Sequence, residues 1–422
     1  MKKCGVYGGI DVGNGFVKAG LRGSLNPEKK NLTYTTEDKI SVSSTVGIVT
    51  RPNALPKKDA EAPEICTDDL YNSLDVSFTT PLVPDQYRRL FGSKGLSSDV
   101  SSVDTFDIVG NTSKAEQPLS AVIVLGMVAA KALKDYVEAE KKLPTEQLQV
   151  EAHVGLALPI NEYLRHKDRY VTDLTSTDHL VTVHMFETPV SLKLSFRTVE
   201  VLPEGFAAQY AITHMGENLM DALLADVRSR GLALEGIMSA DVMAAQNIIG
   251  IDIGEGTVNF LVITGGNFNI EASRTLTKGY GTVLEGALKA MEDRGVHTSF
   301  TTRKHIAEFL LAGPSPLKRA FYAEVERFVE EEKEFFAREV TEFFGRVLAS
   351  VGAVTEVAYV YGGGSGPMQE ILYPLLQAKV TEINSEGAFP VFYLDAAYSR
   401  NLNRKGLSFA AAQAFTRSRK KG

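Results

Sequence analysis

The stretch GGIDVGNGFVKAG, residues 8–20, ends an apolar run on an aspartate and follows it with two glycines flanking an asparagine. Apolar run, glycine turn and second apolar run read as strand, turn, strand. The chain then repeats itself: GIDVGNG at 9–15 returns as GIDIGEG at 250–256. In both copies Asp follows Ile, precedes a branched apolar residue and has glycines two and four positions later. A single G-x-G is weak evidence. Two copies 241 residues apart, each entering an apolar strand, imply a duplicated architecture of two similar domains.

The residue types suggest a chemistry. Glycines in a hairpin turn allow positive φ and let backbone N–H groups approach a phosphate with no Cβ in the way. Two such hairpins facing each other across a cleft would grip a di- or triphosphate from both sides. An Asp at the end of each strand suits Mg2+ held through its water shell. Taken singly, one Asp–Gly turn reads better as an ordinary hairpin. The pair reverses that reading when joined by a third element, YVYGGGSGPMQEIL at 359–372: a strand, four glycines in five positions, then a helix. There the glycines allow a flat ring or sugar to lie against the backbone at a helix N-terminus.

A chain of 422 residues suits two domains better than one core. Its formal charge of −7 does not suggest a basic face for nucleic acid, so any DNA contact would need an adaptor. Cys4 and Cys66 form no CxxC, which argues against a disulfide scaffold and fits a reducing cytoplasm. The start MKKCGVYGGID has no apolar signal-peptide core. The apolar run AVIVLGMVAA at 121–130 is short of the roughly 20 residues of a spanning helix. No HxxxH or HxH pair suggests a zinc site. The expectation is a cytoplasmic protein with no membrane partner.

Strands and helices alternate along the whole chain, which gives the α/β class. Residues 40–50 read as one strand, 51–65 as a Pro- and charge-rich loop and 92–118 as a Ser/Asp/Gly-rich loop, the two pointing to a variable subdomain that decorates the surface. A helix is expected at 118–141, a buried strand at 150–159 stopped by Pro159, and a helix or turn at 160–174. Two alternating strands follow, the second ending at Pro203–Glu204, and then one helix over 205–229. After the second hairpin, helices are expected at about 279–294 and 317–350. A strand at 356–364 runs into a helix near 367–380. A last helix at about 404–417 ends in the basic tail RSRKKG.

At these residues the chain resembles the actin/Hsp70/sugar-kinase superfamily, with a phosphate-1 loop at 11–18, a phosphate-2 loop at 252–257 and an adenosine loop at 362–366. Within it the chain most resembles the ParM-type actin-like plasmid-segregation ATPases. DVGNGFVKAG is similar to actin's first phosphate loop, LALPINEYLRHKDRY to a strand–Leu-Pro segment of ParM-like proteins, and VEVLPEGFAAQYA to the hinge-helix stretch that carries a glutamate. Residues 24–118 match poorly.

The resemblance implies an actin-like fold of two similar RNase H-like domains flanking a nucleotide cleft. Domain I would span 1–204 with an insertion at about 30–115, and domain II 205–398 with a subdomain at about 266–350. Residues 399–422 would form a helix returning to domain I. It implies catalytic roles for Glu204, Asp252 and Asp11, the two aspartates binding Mg2+ mainly through water and Glu204 orienting the attacking water. Gly13, Asn14, Gly15, Lys18, Gly254, Glu255, Gly256 and Thr257 would line the phosphates, and Gly362, Gly363, Gly364, Ser365 and Met368 the nucleoside of ATP or GTP. Glu255 is acidic where a neutral residue is expected beside phosphate, so its side chain should point away.

The implied function is an ATPase forming dynamic filaments of itself and moving plasmid DNA through a DNA-binding adaptor. Another actin-like cytoskeletal filament and a small-molecule (sugar) kinase remain alternatives. No aspartate stands out as the base of a sugar pocket, and nothing after about residue 400 could be a chaperone's substrate domain.

Overall fold

The apolar run that opens the chain becomes a strand buried along nearly its whole length. That is the behaviour of a strand paired on both edges and covered on both faces. The computed structural model describes residues 2–29, 32–51, 69–96, 100–107, 112–296, 298–384, 389–399 and 401–421. They fall into two units, Met1–Ala211 with Asn403–Gly422, and Ile212–Leu402.

The first unit runs β1 (Lys3–Val12), β2 (Phe16–Ser24), β3 (Asp38–Ser43), β4 (Val46–Val49), α1 (Leu70–Ser73), β5 (Asp75–Thr79), β6 (Arg88–Leu90), β7 (Ser102–Asp104), α2 (Pro118–Glu140), β8 (Leu148–Leu158), α3 (Ile160–Thr175), β9 (His179–Val183) and β10 (Val190–Pro203), then enters α4 (Phe206–His214). Among the described residues, its ten strands form one sheet in the order β3-β2-β1-β8-β10-β9-β5-β6-β4-β7. β1 pairs antiparallel with β2 and parallel with β8, and β8 pairs parallel with β10.

The apolar run 121–130 lies at the centre of α2, which is buried almost all round and packs on β1 and β2. A helix apolar on every face belongs inside a core. Pro118 stands in its first turn, where the missing N–H has no intrahelical partner to lose. Lys141, at φ 55, ends it by donating its N–H to Val137 O at 2.8 Å. Among the described residues, no helix is long and apolar enough to cross a membrane.

The second unit runs α5 (Glu217–Ser229), α6 (Ser239–Ala244), β11 (Ile248–Ile253), β12 (Val258–Thr264), β13 (Asn267–Phe268), β14 (Arg274–Leu276), α7 (Tyr280–Asp293), α8 (Arg303–Ala312), α9 (Arg319–Val351), β15 (Val357–Tyr361), α10 (Gln369–Ile383), β16 (Val391–Tyr393) and α11 (Ala396–Ser399), before α12 (Leu402–Lys421). Its sheet has the order β13-β12-β11-β15-β16, with β14 also on β12. β11 pairs antiparallel with β12 and parallel with β15, which pairs parallel with β16. The same order holds around β1. The repeat of seven residues is therefore a repeat of sheet topology.

From Asn403 onward α12 belongs to the first unit, and glycines let it sit against the backbone there. A Cβ on Gly9 would lie 2.6 Å from Leu407 Cβ, one on Gly155 2.2 Å from Leu407 O, and one on Gly406 1.7 Å from Ala207 O. Gly9 N–H donates to Ser408 Oγ at 3.0 Å. Farther along α12, Phe415 meets His153 edge-on at 4.5 Å, and His153 stacks on Tyr7.

Three expectations are corrected. Residues 40–50 are two strands: β3 pairs with β2, whereas β4 pairs with β6 and β7. The break falls at Ser44, which is drawn onto the first glycine turn. The helix expected over 205–229 is α4 and α5, parted at Gly216, whose φ of +79 lies outside helical space. The stretch 92–118 is not one loop but holds 3-10 turns at Gly92–Leu96 and Lys114–Glu116 and the strand β7. The loop expected at 51–65 lies, apart from residue 51, outside the described residues. So does Cys66; Cys4 is buried with a free thiol.

Candidate functional site

Each repeat makes the same turn. In the first unit, Val12 pairs with Val17 and Gly13 N–H donates to Phe16 O at 3.0 Å. In the second, Ile253 pairs with Val258 and Gly254 N–H donates to Thr257 O at 2.8 Å. Both turns thus close from the second residue after the aspartate to the fifth. Among the described residues, the N–H groups of Asn14, Gly15, Glu255 and Gly256 meet no acceptor within the protein. A Cβ on Gly15 or Gly256 would have no atom within 4 Å. The glycines leave an open approach to free donors, which is what a bound anion requires. Their expected positive φ is not observed: none of Gly13, Gly15, Gly254 or Gly256 has one. The glycines serve here by lacking a side chain.

Ser44, unremarked in the sequence, pins the first turn. Its Oγ donates to Gly13 O at 2.5 Å and its N–H to Gly15 O at 3.1 Å. Asp11 and Lys18 stand opposite each other in register on β1 and β2, so their side chains share a face. Burial, and after it the Glu204 carboxylate, push Asp11 up to about 6 against the pull of the Lys114 and Lys18 ammonium groups. Asp11, Lys18, Glu204 and Lys114 thus form one charge cluster in the first unit. Lys114 Nζ lies 2.9 Å from Glu204 Oε1, and Glu204 N–H donates to Leu158 O at 2.7 Å. Lys114 is the member of this cluster that the sequence did not reveal.

The second unit assembles its own group. Gly364 N–H donates to Ile253 O at 2.8 Å, and Tyr280 and Gly281 N–H donate to Gly254 O and Glu255 O at 2.9 and 2.8 Å. The opening of α7 therefore satisfies two of its own orphan donors on the carbonyls of the second glycine turn. The 362–366 turn lies against the same strand end. A Cβ on Gly364 would meet Tyr280 Cβ at 2.6 Å, while Gly363 has open space. Ser365 spends its hydroxyl on Gly362 O at 2.9 Å, and Met368 is wholly buried. Burial and then the Asp252 charge push the Tyr361 phenol well above its usual range.

Glu255 is exposed and held from outside the turn. Arg303, on α8, donates to Glu285 Oε1 at 2.6 Å and reaches Glu255 Oε1 at 2.9 Å. Its acidity beside the turn is thereby balanced by a guanidinium the sequence did not single out.

Among the described residues, no three His, Cys, Asp or Glu side chains converge as a metal cage. Mg2+ seldom uses one; it takes one or two carboxylates with phosphates and water. Asp11, partly buried and with Glu204 as its acidic neighbour, fits that lesser demand.

No protein-family model and no curated protein matches the chain by sequence. Solved structures do match. The actin-like protein Alp7A is similar with a TM-score of 0.62 at 14% identity, over 100% of this chain and 98% of that one. The psk41 ParM protein in apo form is similar with a TM-score of 0.56 at 13% identity, over 100% and 99%. The archaeal actin homologue Ta0583 in complex with ADP follows at 0.55 and 13%, over 97% and 99%. Its nearly full-length match to ParM and to actin homologues, with one strand order present twice, gives the chain the actin-like fold.

Proposed function

We propose that the chain is an actin-like ATPase that assembles with copies of itself into nucleotide-dependent filaments in the cytoplasm and segregates plasmid DNA through a DNA-binding adaptor. The observation that carries this reading is the pair of identically closed turns, each with free N–H groups beneath an open glycine, in an actin-like fold. The ParM likeness supports the filament, and the net charge of −7 supports an adaptor over direct DNA contact.

Asn14 and Gly15 in one unit, and Glu255 and Gly256 in the other, present free backbone donors to phosphate oxygens, while Gly13, Gly254 and Thr257 close the turns that hold them. Lys18 places an ammonium beside the first turn. Gly362, Gly363 and Gly364, with Ser365 and Met368 behind them, take the nucleoside, ATP or GTP. Asp11 and Asp252 hold Mg2+ mainly through water, and Mg2+, when bound, supplies neutralisation of phosphate charge. Glu204 orients the attacking water. Such hydrolysis is positioning and electrostatics more than covalent chemistry.

Light scattering and pelleting after addition of ATP or GTP with Mg2+ test the reading. Filaments that form with nucleotide and vanish as phosphate is released are expected. No assembly at any concentration, together with sugar-dependent ATP consumption, would replace it with the kinase alternative.

A further inference from the structure

Lys114 is a buried lysine to which the reaction above gives no part. It sits in the 3-10 turn before α2, with its Nζ 2.9 Å from Glu204 Oε1 and 5.6 Å from the centre of the Phe106 ring. Its own N–H donates to Glu162 Oε2 at 2.9 Å, and Ser113 Oγ donates to the same oxygen at 2.5 Å. Glu162 lies in the first turn of α3, which begins where β8 ends. Glu204 follows β10, and its N–H is bonded to Leu158 O at the end of β8. Ammonium and carboxylate are therefore both anchored to the ends of one pair of parallel strands, β8 and β10, which meet at Leu158 and Pro203.

A buried ammonium is an expensive way to gain stability, because desolvation cancels most of the attraction. What the pair does provide is geometry. It occupies Glu204 Oε1 alone; among the described residues Oε2 accepts no hydrogen bond. We propose that Lys114 is a positioning residue that grips Glu204 by Oε1 and so turns Oε2 toward the attacking water; this rests on the role proposed for Glu204. The Ser-rich segment before α2 thereby bears directly on hydrolysis.

The test is a cycle of Lys114→Met and Glu204→Gln, alone and combined, with Lys114→Arg as rescue. Methionine keeps the stem against Phe106 and removes the charge. Phosphate release at saturating ATP and Mg2+, KM, binding of a fluorescent ATP analogue and thermal melting are read for each. Lys114→Met is expected to lower kcat about 10- to 100-fold while KM and analogue affinity stay within about twofold. Lys114→Arg restores part of the rate, and Lys114→Met adds nothing in the Glu204→Gln background. An unchanged rate in Lys114→Met, or the same loss in both backgrounds, overturns the inference while leaving the ATPase reading intact. Wild-type protein that binds and turns over no nucleotide overturns both. Should Lys114→Met not fold, Lys114→Gln takes its place with the same outcomes.

Discussion

A Cβ added to Gly362 would come within 2.4 Å of Asp252 Oδ1, because Gly362 holds φ +106 just past Tyr361, the register partner of Asp252. Gly362→Ala therefore meets both backbone strain and the carboxylate. We expect it to cost about 1–3 kcal/mol and to weaken nucleotide binding by displacing Asp252. Gly363→Ala, facing open space, should leave the denaturation midpoint unchanged. Equal midpoints for the two variants would show that the contact does not hold Asp252.

The C-terminal helix should be as sensitive. Gly406→Ala drives a methyl into Ala207 O and Gly9→Ala one into Leu407. Each is expected to lower stability by about 1–3 kcal/mol and to speed proteolytic loss of the last twenty residues. A protease time course that matches the wild type would refute the close packing.

His153 predicts a pH dependence. Burial, then the Arg197 and Arg419 charges, lower it from 6.5 to about 4. Between those values the unfolded chain binds the proton and the folded chain does not. The contribution of a neutral His153 is thus complete above pH 6.5 and falls away as pH drops toward 4, by at most about 3 kcal/mol. Urea titrations at pH 7 and pH 5 should differ more for the wild type than for His153→Gln. Identical differences would remove His153 from the acid response.

Arg303 balances Glu255 in the second glycine turn. Arg303→Gln leaves that charge uncompensated, and ATP affinity is expected to fall about 3- to 10-fold at low salt, less at high salt. Glu255→Gln added to it should restore most of the affinity. Calorimetric titration of nucleotide decides, and no change in either variant would rule out the electrostatic account.

Asp252→Ala and Glu204→Ala should fold and release phosphate slowly, while wild-type turnover in Glu204→Ala would exclude that residue. Glu204→Ala also strands the Lys114 ammonium. It should therefore melt below Glu204→Gln, by about 1–3 kcal/mol, and equal melting would mean that water reaches Lys114.

What could be read in advance follows the range of the contacts. Asp11 and Asp252 sit at strand ends because Gly13 and Gly254 close their turns three residues on, and so short a loop is written in consecutive residues. The split at 40–50 was hidden because β3 and β4 are both β-prone, and what parts them is distant: Ser44's attachment to Gly13 and Gly15 and the different strands each pairs with. The 205–229 break has a signal in hindsight: Gly216, inside an otherwise helical pattern.

By itself the sequence determined the duplicated hairpin, the α/β alternation and the aspartates and glycines of each turn, because periodicity and glycine spacing act over a few residues. Only the tertiary structure decided that Lys114 meets Glu204, 90 residues away in the chain, and that Arg303 meets Glu255. It also decided that Gly9, Gly155 and Gly406 admit α12. A lysine in a Ser-rich turn, an arginine opening a helix and a glycine inside a strand look the same whether they face solvent or a partner. Which they face depends on how distant strands are brought into register, and no local pattern encodes that.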